Sequence, residues 1–169
     1  MTYFELFEIP VQLKVNTALL SKKFFELSKK YHPDYFANEN EEIKADVLEK
    51  SALINKAWKT FQSPDATIKY VLQEKSLLEE EEKYELPPAF LMEVMDINET
   101  LMDADDAVSK SSLQITINNL QSDIYDPVKE MVENYQDNTA TEKELLQVKE
   151  YYYKKKYLDR IRQQLAGMA

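Results

Sequence analysis

Leu20, Phe24, Leu27 and Tyr31 recur at i, i+4, i+7 and i+11, the spacing of the buried stripe of an amphipathic helix. Asn16 or Thr17 can cap its start, and Pro33 ends it, because a proline steers the residue before it away from the α region. Residues 32–40 read as a loop. A second stripe of Val47, Ser51, Ile54, Trp58 and Phe61 predicts a helix over about 41–62. Ser63 caps a shorter helix from Pro64, with Ile68, Val71 and Leu72 facing inward. Two long helices joined by a short loop should lie antiparallel.

The run LLEEEEKYELPP over residues 77–88 then interrupts the pattern. Its glutamates repel one another and are expected to be solvated, so residues 76–87 read as an acidic linker. Beyond it, three helices are predicted over about 88–105, 109–136 and 141–165. The second places Leu113, Ile117, Leu120, Ile124 and Met131 in the core, and Pro127 should kink it. The third buries Leu145, Val148, Tyr152, Leu158, Ile161 and Leu165. The expected fold is all-α: a helical hairpin with short helices over residues 1–75, then a three-helix bundle over residues 88–169.

Composition narrows the chemistry. The single glycine, Gly167, lies two residues from the end, so the chain is poorly equipped for phosphate-cradling loops, nucleophile elbows and tight hairpins. Absence of cysteine excludes disulfides, thiolate nucleophiles and cysteine-ligated zinc or iron–sulfur clusters. His32 is the only histidine; together with Asp34 it would give a metal just two ligands. No cofactor is expected, nor an enzyme. Residues 1–75 carry 11 basic and 11 acidic groups, whereas residues 76–169 carry 10 and 20, so the whole net charge of −10 sits in the second half. Such asymmetry points to two surfaces with different partners, and an acidic surface disfavours nucleic acid. No apolar run is long enough to cross a bilayer and no signal-peptide pattern opens the chain, so the expected location is the bacterial cytoplasm, away from the membrane.

KKYHPDYF at residues 29–36, set between two amphipathic helices, resembles the signature of the J-domain of DnaJ-type co-chaperones. The aromatic-rich start YFELFEIP, the lysine-bearing helix and the later SALINKAWKTFQSP agree with it. FLMEVMDINETL at 90–101 and YLDRI at 157–161 extend the resemblance to the HscB branch, over nearly the whole chain. On a helical wheel, at about 100° per residue, Lys22 and Lys29 fall opposite the core stripe, with Lys23 and Lys30 on the adjoining flank. A basic face beside a rigid Pro-Asp turn suits docking to an acidic surface. The residues alone leave His32 open to a blander part as a helix C-capping group, and Pro33-Asp34 as a plain turn. The resemblance implies that His32, Pro33 and Asp34 stimulate ATP hydrolysis by an HscA- or DnaK-type chaperone, docked by Lys22, Lys23, Lys29 and Lys30. Tyr35 stands where that family often has a basic residue.

Residues 90–103 hold more than a bundle helix requires. Phe90, Val94, Ile97 and Leu101 form one stripe within about 40° of Phe90, while Leu91, Met95, Asn98 and Met102 form a second centred about 110° away. Met92, Asp96, Glu99 and Asp103 form a third, more acidic one. A small bundle buries one wide stripe; a methionine-rich second one with a carboxylate rim suits protein binding. The HscB resemblance implies that an IscU-type iron–sulfur scaffold protein binds here, through Leu91, Met92, Met95, Asp96, Glu99 and Asp103, with Tyr157 supplying an aromatic. A different protein client is the alternative. Tyr151 to Tyr153 followed by Lys154 to Lys156 could stack and pair with a nucleic acid, but helical spacing scatters them around the axis and favours packing.

Overall fold

A computed structural model of the chain describes residues 1–167 and is all-α, with no strand among the described residues. The last two residues of the expected 88–169 bundle lie outside the described residues. In chain order the helices are α1 (Tyr3–Leu6), α2 (Thr17–Lys30), α3 (Glu41–Gln62), α4 (Pro64–Glu74), α5 (Pro88–Asp103), α6 (Ala107–Tyr125), α7 (Lys129–Glu133) and α8 (Glu142–Gly167). Two starts follow the predicted caps, Asn16 accepting from the N–H groups of Ala18 and Leu19 and Ser63 from Ala66, and Asn40, read only as the end of a loop, caps α3 by accepting from Ile43. Thr141 and Glu144 bond each other's backbone N–H reciprocally, a capping box that opens α8.

In the first half, α2 runs antiparallel to α3, since Phe24 stacks on Trp58 at 4.8 Å while Tyr31, about two turns on, lies against Lys50. Phe61 of α3 is 2% exposed and meets the rings of Tyr3, Phe4 and Phe7, so α1 closes the end of the hairpin. Tyr70 of α4 stacks on Tyr3 at 4.2 Å and its hydroxyl accepts the Tyr3 N–H. In the second half, α8 packs against α5, α6 and α7 and also against α4, so buried residues of both halves join in one core.

The second bundle helix departs from its expected course. It ends at Tyr125, a 3-10 turn covers Asp126–Val128, and α7 resumes at Lys129. Pro127 lacks the N–H that an α-helix needs there, and the break resets the helical phase. Val128, Val132 and Tyr135 therefore take the buried positions, and Met131 is only half-buried rather than in the core.

The shortage of glycine does not prevent left-handed backbone. Glu8 and Ser76 have φ of 57° and 59° and stop α1 and α4. In each, the following N–H reaches back to close the helix end, from Ile9 to the Phe4 carbonyl and from Leu77 to the Leu72 carbonyl. A residue with a Cβ tolerates this at a cost of about 1 kcal/mol.

Nor is the glutamate run merely solvated. Leu78 is buried, Glu80 accepts from Lys69 and Gln73, and both carboxylate oxygens of Glu82 lie against the Lys149 ammonium, at 3.0 and 2.8 Å. Spacing along the chain shows repulsion between neighbouring carboxylates, whereas the cations that neutralise them arrive from α4 and α8. Asp65 of α4 meets Lys155 of α8 at 2.9 Å, and Asp159 shares that ammonium. Burial alone would push the Lys155 ammonium down, but the hydrogen bonds it donates to the two carboxylates hold it above its ordinary value. Lys75 at the end of α4 likewise binds Asp137.

The hydrogen bond from Lys149 holds the Glu82 carboxyl below the usual carboxylate range against the opposing effect of burial, and Lys75 does the same for Asp137. A depressed carboxyl contributes stability that is present above its unfolded pKa, about 4, and is lost as pH falls through its lower folded value. The thermal midpoint by circular dichroism is therefore expected to be flat above about pH 5 and to fall below about pH 4. Lys149→Met should lower the midpoint at neutral pH and reduce the acid-induced drop; an unchanged midpoint and unchanged pH profile would contradict this role for the pair.

Candidate functional site

Two candidate surfaces emerge from the burial pattern. The first surrounds the turn after α2. Tyr31 ends that helix, its N–H bonding to the carbonyl of Leu27. His32 then has extended backbone and its Nδ1 accepts the N–H of Asp34 at 3.3 Å, which caps the 3-10 turn Pro33–Phe36. The histidine thus caps the turn that follows rather than the end of α2. Pro33 at the first position fixes φ for that turn. His32, Pro33 and Asp34 are all exposed, and Tyr35 is 66% exposed with its ring 6.0 Å from that of His32.

Lys22, Lys29 and Lys30 are exposed along α2, while Lys23 pairs with Glu8 at 2.6 Å. That hydrogen bond raises the Lys23 ammonium and lowers the Glu8 carboxyl, committing part of its charge within the chain. Phe25, one turn from both Lys22 and Lys29, is 70% exposed. The signal was its position on the wheel: Phe24 belongs to the Leu20 to Tyr31 stripe, whereas Phe25, about 100° further round, falls beside Lys22 and Lys29.

The second surface is on α5. Phe90, Val94, Ile97 and Leu101 are buried against α6 and α8. Leu91, Met92, Met95 and Met102 are exposed, Met95 by 60%, and Asp96, Glu99 and Asp103 are exposed beside them. Tyr157 of α8 is half-buried, its ring edge-on to Phe90 at 6.5 Å, and with Leu91 it lines one groove. The structure thus groups Leu91 with Tyr157 and leaves the other expected positions along one exposed side of α5. Sequence reasoning missed Lys83, Tyr84 and Arg160 in that groove and weighed Lys156 only as part of a nucleic-acid contact. The signal was present in α8, where Tyr153, Lys156, Tyr157 and Arg160 share one face by their spacing. Tyr151 and Tyr152 are buried and Lys155 is bound by carboxylates, so the Tyr-Lys run serves mainly packing.

No group of three or more potential metal-binding side chains occurs among the described residues, and none of their helices is long and apolar enough to cross a membrane.

Comparison with known proteins identifies the family. A family model described as the HSCB C-terminal oligomerisation domain matches residues 86–166. The co-chaperone protein HscB homolog of Photobacterium profundum is 37% identical over 113 residues, spanning 66% of this chain and 66% of that protein. The homolog from Vibrio parahaemolyticus is 35% identical over 126 residues, 74% of each chain. The chain belongs to the HscB family of co-chaperones. Solved HscB structures share its fold: the human co-chaperone protein HscB aligns with a TM-score of 0.80 at 26% identity, over 98% of this chain and 81% of that one. Chaperone HscB from Vibrio cholerae aligns with a TM-score of 0.75 at 25% identity, over 98% and 96%.

The division of α5 into two faces has a direct energetic consequence. Ile97→Ala should cost about 2–4 kcal/mol, because it deletes buried methyl groups and leaves a cavity. Met92→Ala and Met95→Ala should each stay within about 0.5 kcal/mol of the parent. Urea unfolding followed by circular dichroism reads both; a large loss at Met95 would mean that the methionine face is packed.

Proposed function

We propose that this HscB-family chain is a non-enzymatic co-chaperone that stimulates the ATPase of an HscA- or DnaK-type chaperone and delivers an IscU-type scaffold protein to it, in support of iron–sulfur cluster assembly in the bacterial cytoplasm. The observation that carries the reading is the coexistence, in one HscB-family chain, of an exposed His-Pro-Asp turn and an exposed methionine-rich face on another helix. In this reading residues 1–75 engage the chaperone, residues 76–87 connect, and residues 88–169 hold the scaffold.

Lys22, Lys29 and Lys30 supply a positive field that speeds encounter with an acidic chaperone surface and sets its register, with Lys23 contributing less because Glu8 already binds it. Phe25 adds an apolar contact at the centre of that face. His32 and Asp34 are the groups presented to the chaperone, on a turn made rigid by Pro33 and by the bond from the Asp34 N–H to His32. Asp34 can accept from a cation of the partner, a charge-assisted bond that a mobile loop would form less well. Leu91, Met92, Met95 and Tyr157 provide the apolar area for the scaffold, methionine adapting to an irregular partner. Asp96, Glu99 and Asp103 form a charged rim that disfavours acidic competitors.

His32→Gln is expected to reduce stimulation of the chaperone's steady-state ATPase to the unstimulated rate. Its circular dichroism spectrum and thermal midpoint should stay close to those of the parent, since His32 is exposed. Normal stimulation by a folded His32→Gln protein would remove the triad from the mechanism.

A further inference from the structure

We propose that the groove beside the start of α5 is a second part of the client site and receives a carboxylate-bearing segment of the same client. The inference rests on the reading of α5 as the client face and extends it in a direction that the apolar stripe does not contain.

The groove has a volume of about 660 Å³ and lies between residues 82–86, the first turn of α5 and the second half of α8. Leu91 and Tyr157 form part of its wall, so it is continuous with the proposed scaffold face. Three cations, Lys83, Lys156 and Arg160, line it and are exposed. Lys83 and Arg160 have no ion pair or hydrogen bond with other described residues. Lys156 lies 6.0 Å from the centre of the Tyr153 ring. Of the two carboxylates in the lining, Glu82 is already neutralised by Lys149, which leaves Glu85 alone against three positive groups.

That balance runs against the composition around it, because residues 76–169 hold 20 acidic and 10 basic groups. These cations are gathered beside an apolar wall in the acidic half of the chain; Lys83 and Arg160 are without an ion pair among the described residues and Lys156 shares part of its field with Glu80, so anion-binding capacity remains in the groove. The client face is thereby polarised. It begins at a cationic, aromatic groove, continues over Leu91, Met92 and Met95, and ends at Asp96, Glu99 and Asp103. A client bearing an acidic segment at one end of its contact surface and basic groups at the other can dock in one direction only. The reversed orientation would set like charges together at both ends.

A protein carboxylate fits the groove better than a nucleic acid. The rings of Tyr84 and Tyr153 stack on each other at 4.5 Å with 6° between their planes, so their facing surfaces are not open to bases. The neighbouring Glu79, Glu81 and Glu85 would also repel a phosphate backbone, whereas a single acidic side chain can reach the cations without passing along them.

Stopped-flow association with the purified iron–sulfur scaffold protein, over roughly 50–500 mM NaCl, tests the proposal. Lys156→Glu/Arg160→Glu should lower the association rate constant about tenfold at low salt and flatten its salt dependence. Lys83→Glu, on a different segment, should act in the same direction, and circular dichroism checks that both variants are folded. Met92→Ala/Met95→Ala should instead raise the dissociation rate. If both charge variants are folded and associate like the parent while the methionine variant dissociates faster, the groove proposal is overturned and the client face stands. No binding by the parent protein would overturn both. Binding of a short single-stranded oligonucleotide to the parent, abolished by the charge reversals, would make the groove a nucleic-acid site and overturn the proposal as well.

Discussion

The docking of α8 against both halves is the constraint on which the rest of the structure depends. Val148 and Leu158 are fully buried, and the same helix carries Lys149 to Glu82 and Lys155 to Asp65. The apolar burial supplies most of the driving force, because partly buried ion pairs recover little more than their desolvation cost. What the pairs add is register, above all at Glu82: an α8 shifted by one residue would set Val148 or Glu150 in place of Lys149 against that half-buried carboxylate. The His-Pro-Asp turn is held by α3, α3 packs on α4, α4 on α8, and α8 on α5. The two candidate surfaces are thus linked through a continuous series of packed helices.

The two surfaces differ in physical character because they arise differently. The turn at His32 is shaped locally, by a proline and one side-chain hydrogen bond, and rests on α3. The α5 surface is a by-product of burial elsewhere. Once Phe90, Val94, Ile97 and Leu101 are committed to the bundle, helical geometry leaves Leu91, Met92 and Met95 outside. A preformed polar turn suits a transient, electrostatically steered encounter, and an adaptable apolar face suits retention of a client.

Much of this was legible in the sequence because helices announce themselves by period and by caps. Asn16, Ser63 and the Leu20 to Tyr31 stripe were readable, as was the double striping of α5 that separates its buried and exposed faces. The break at Pro127 was anticipated only as a kink, since a pattern of apolar residues does not show whether the helix bends or stops and resumes in a new phase. The pairing of Glu80 and Glu82 was hidden because their cations lie far along the chain, at Lys69 and Lys149. Left-handed Glu8 and Ser76 were hidden for a related reason: helix-end hydrogen bonds compensate the strain, and composition alone cannot reveal them. The cationic groove joins residues from two distant segments, so only half of it, the Tyr153 to Arg160 face, could be read from spacing.

Rigid coupling of the two surfaces is most directly measured by double electron–electron resonance between spin labels at Ala37→Cys and Met102→Cys, both exposed positions in a chain without native cysteine. Docking of α8 on α4 predicts one narrow distance distribution, unchanged by addition of the scaffold protein. A broad or bimodal distribution would show that the halves move independently and would contradict it.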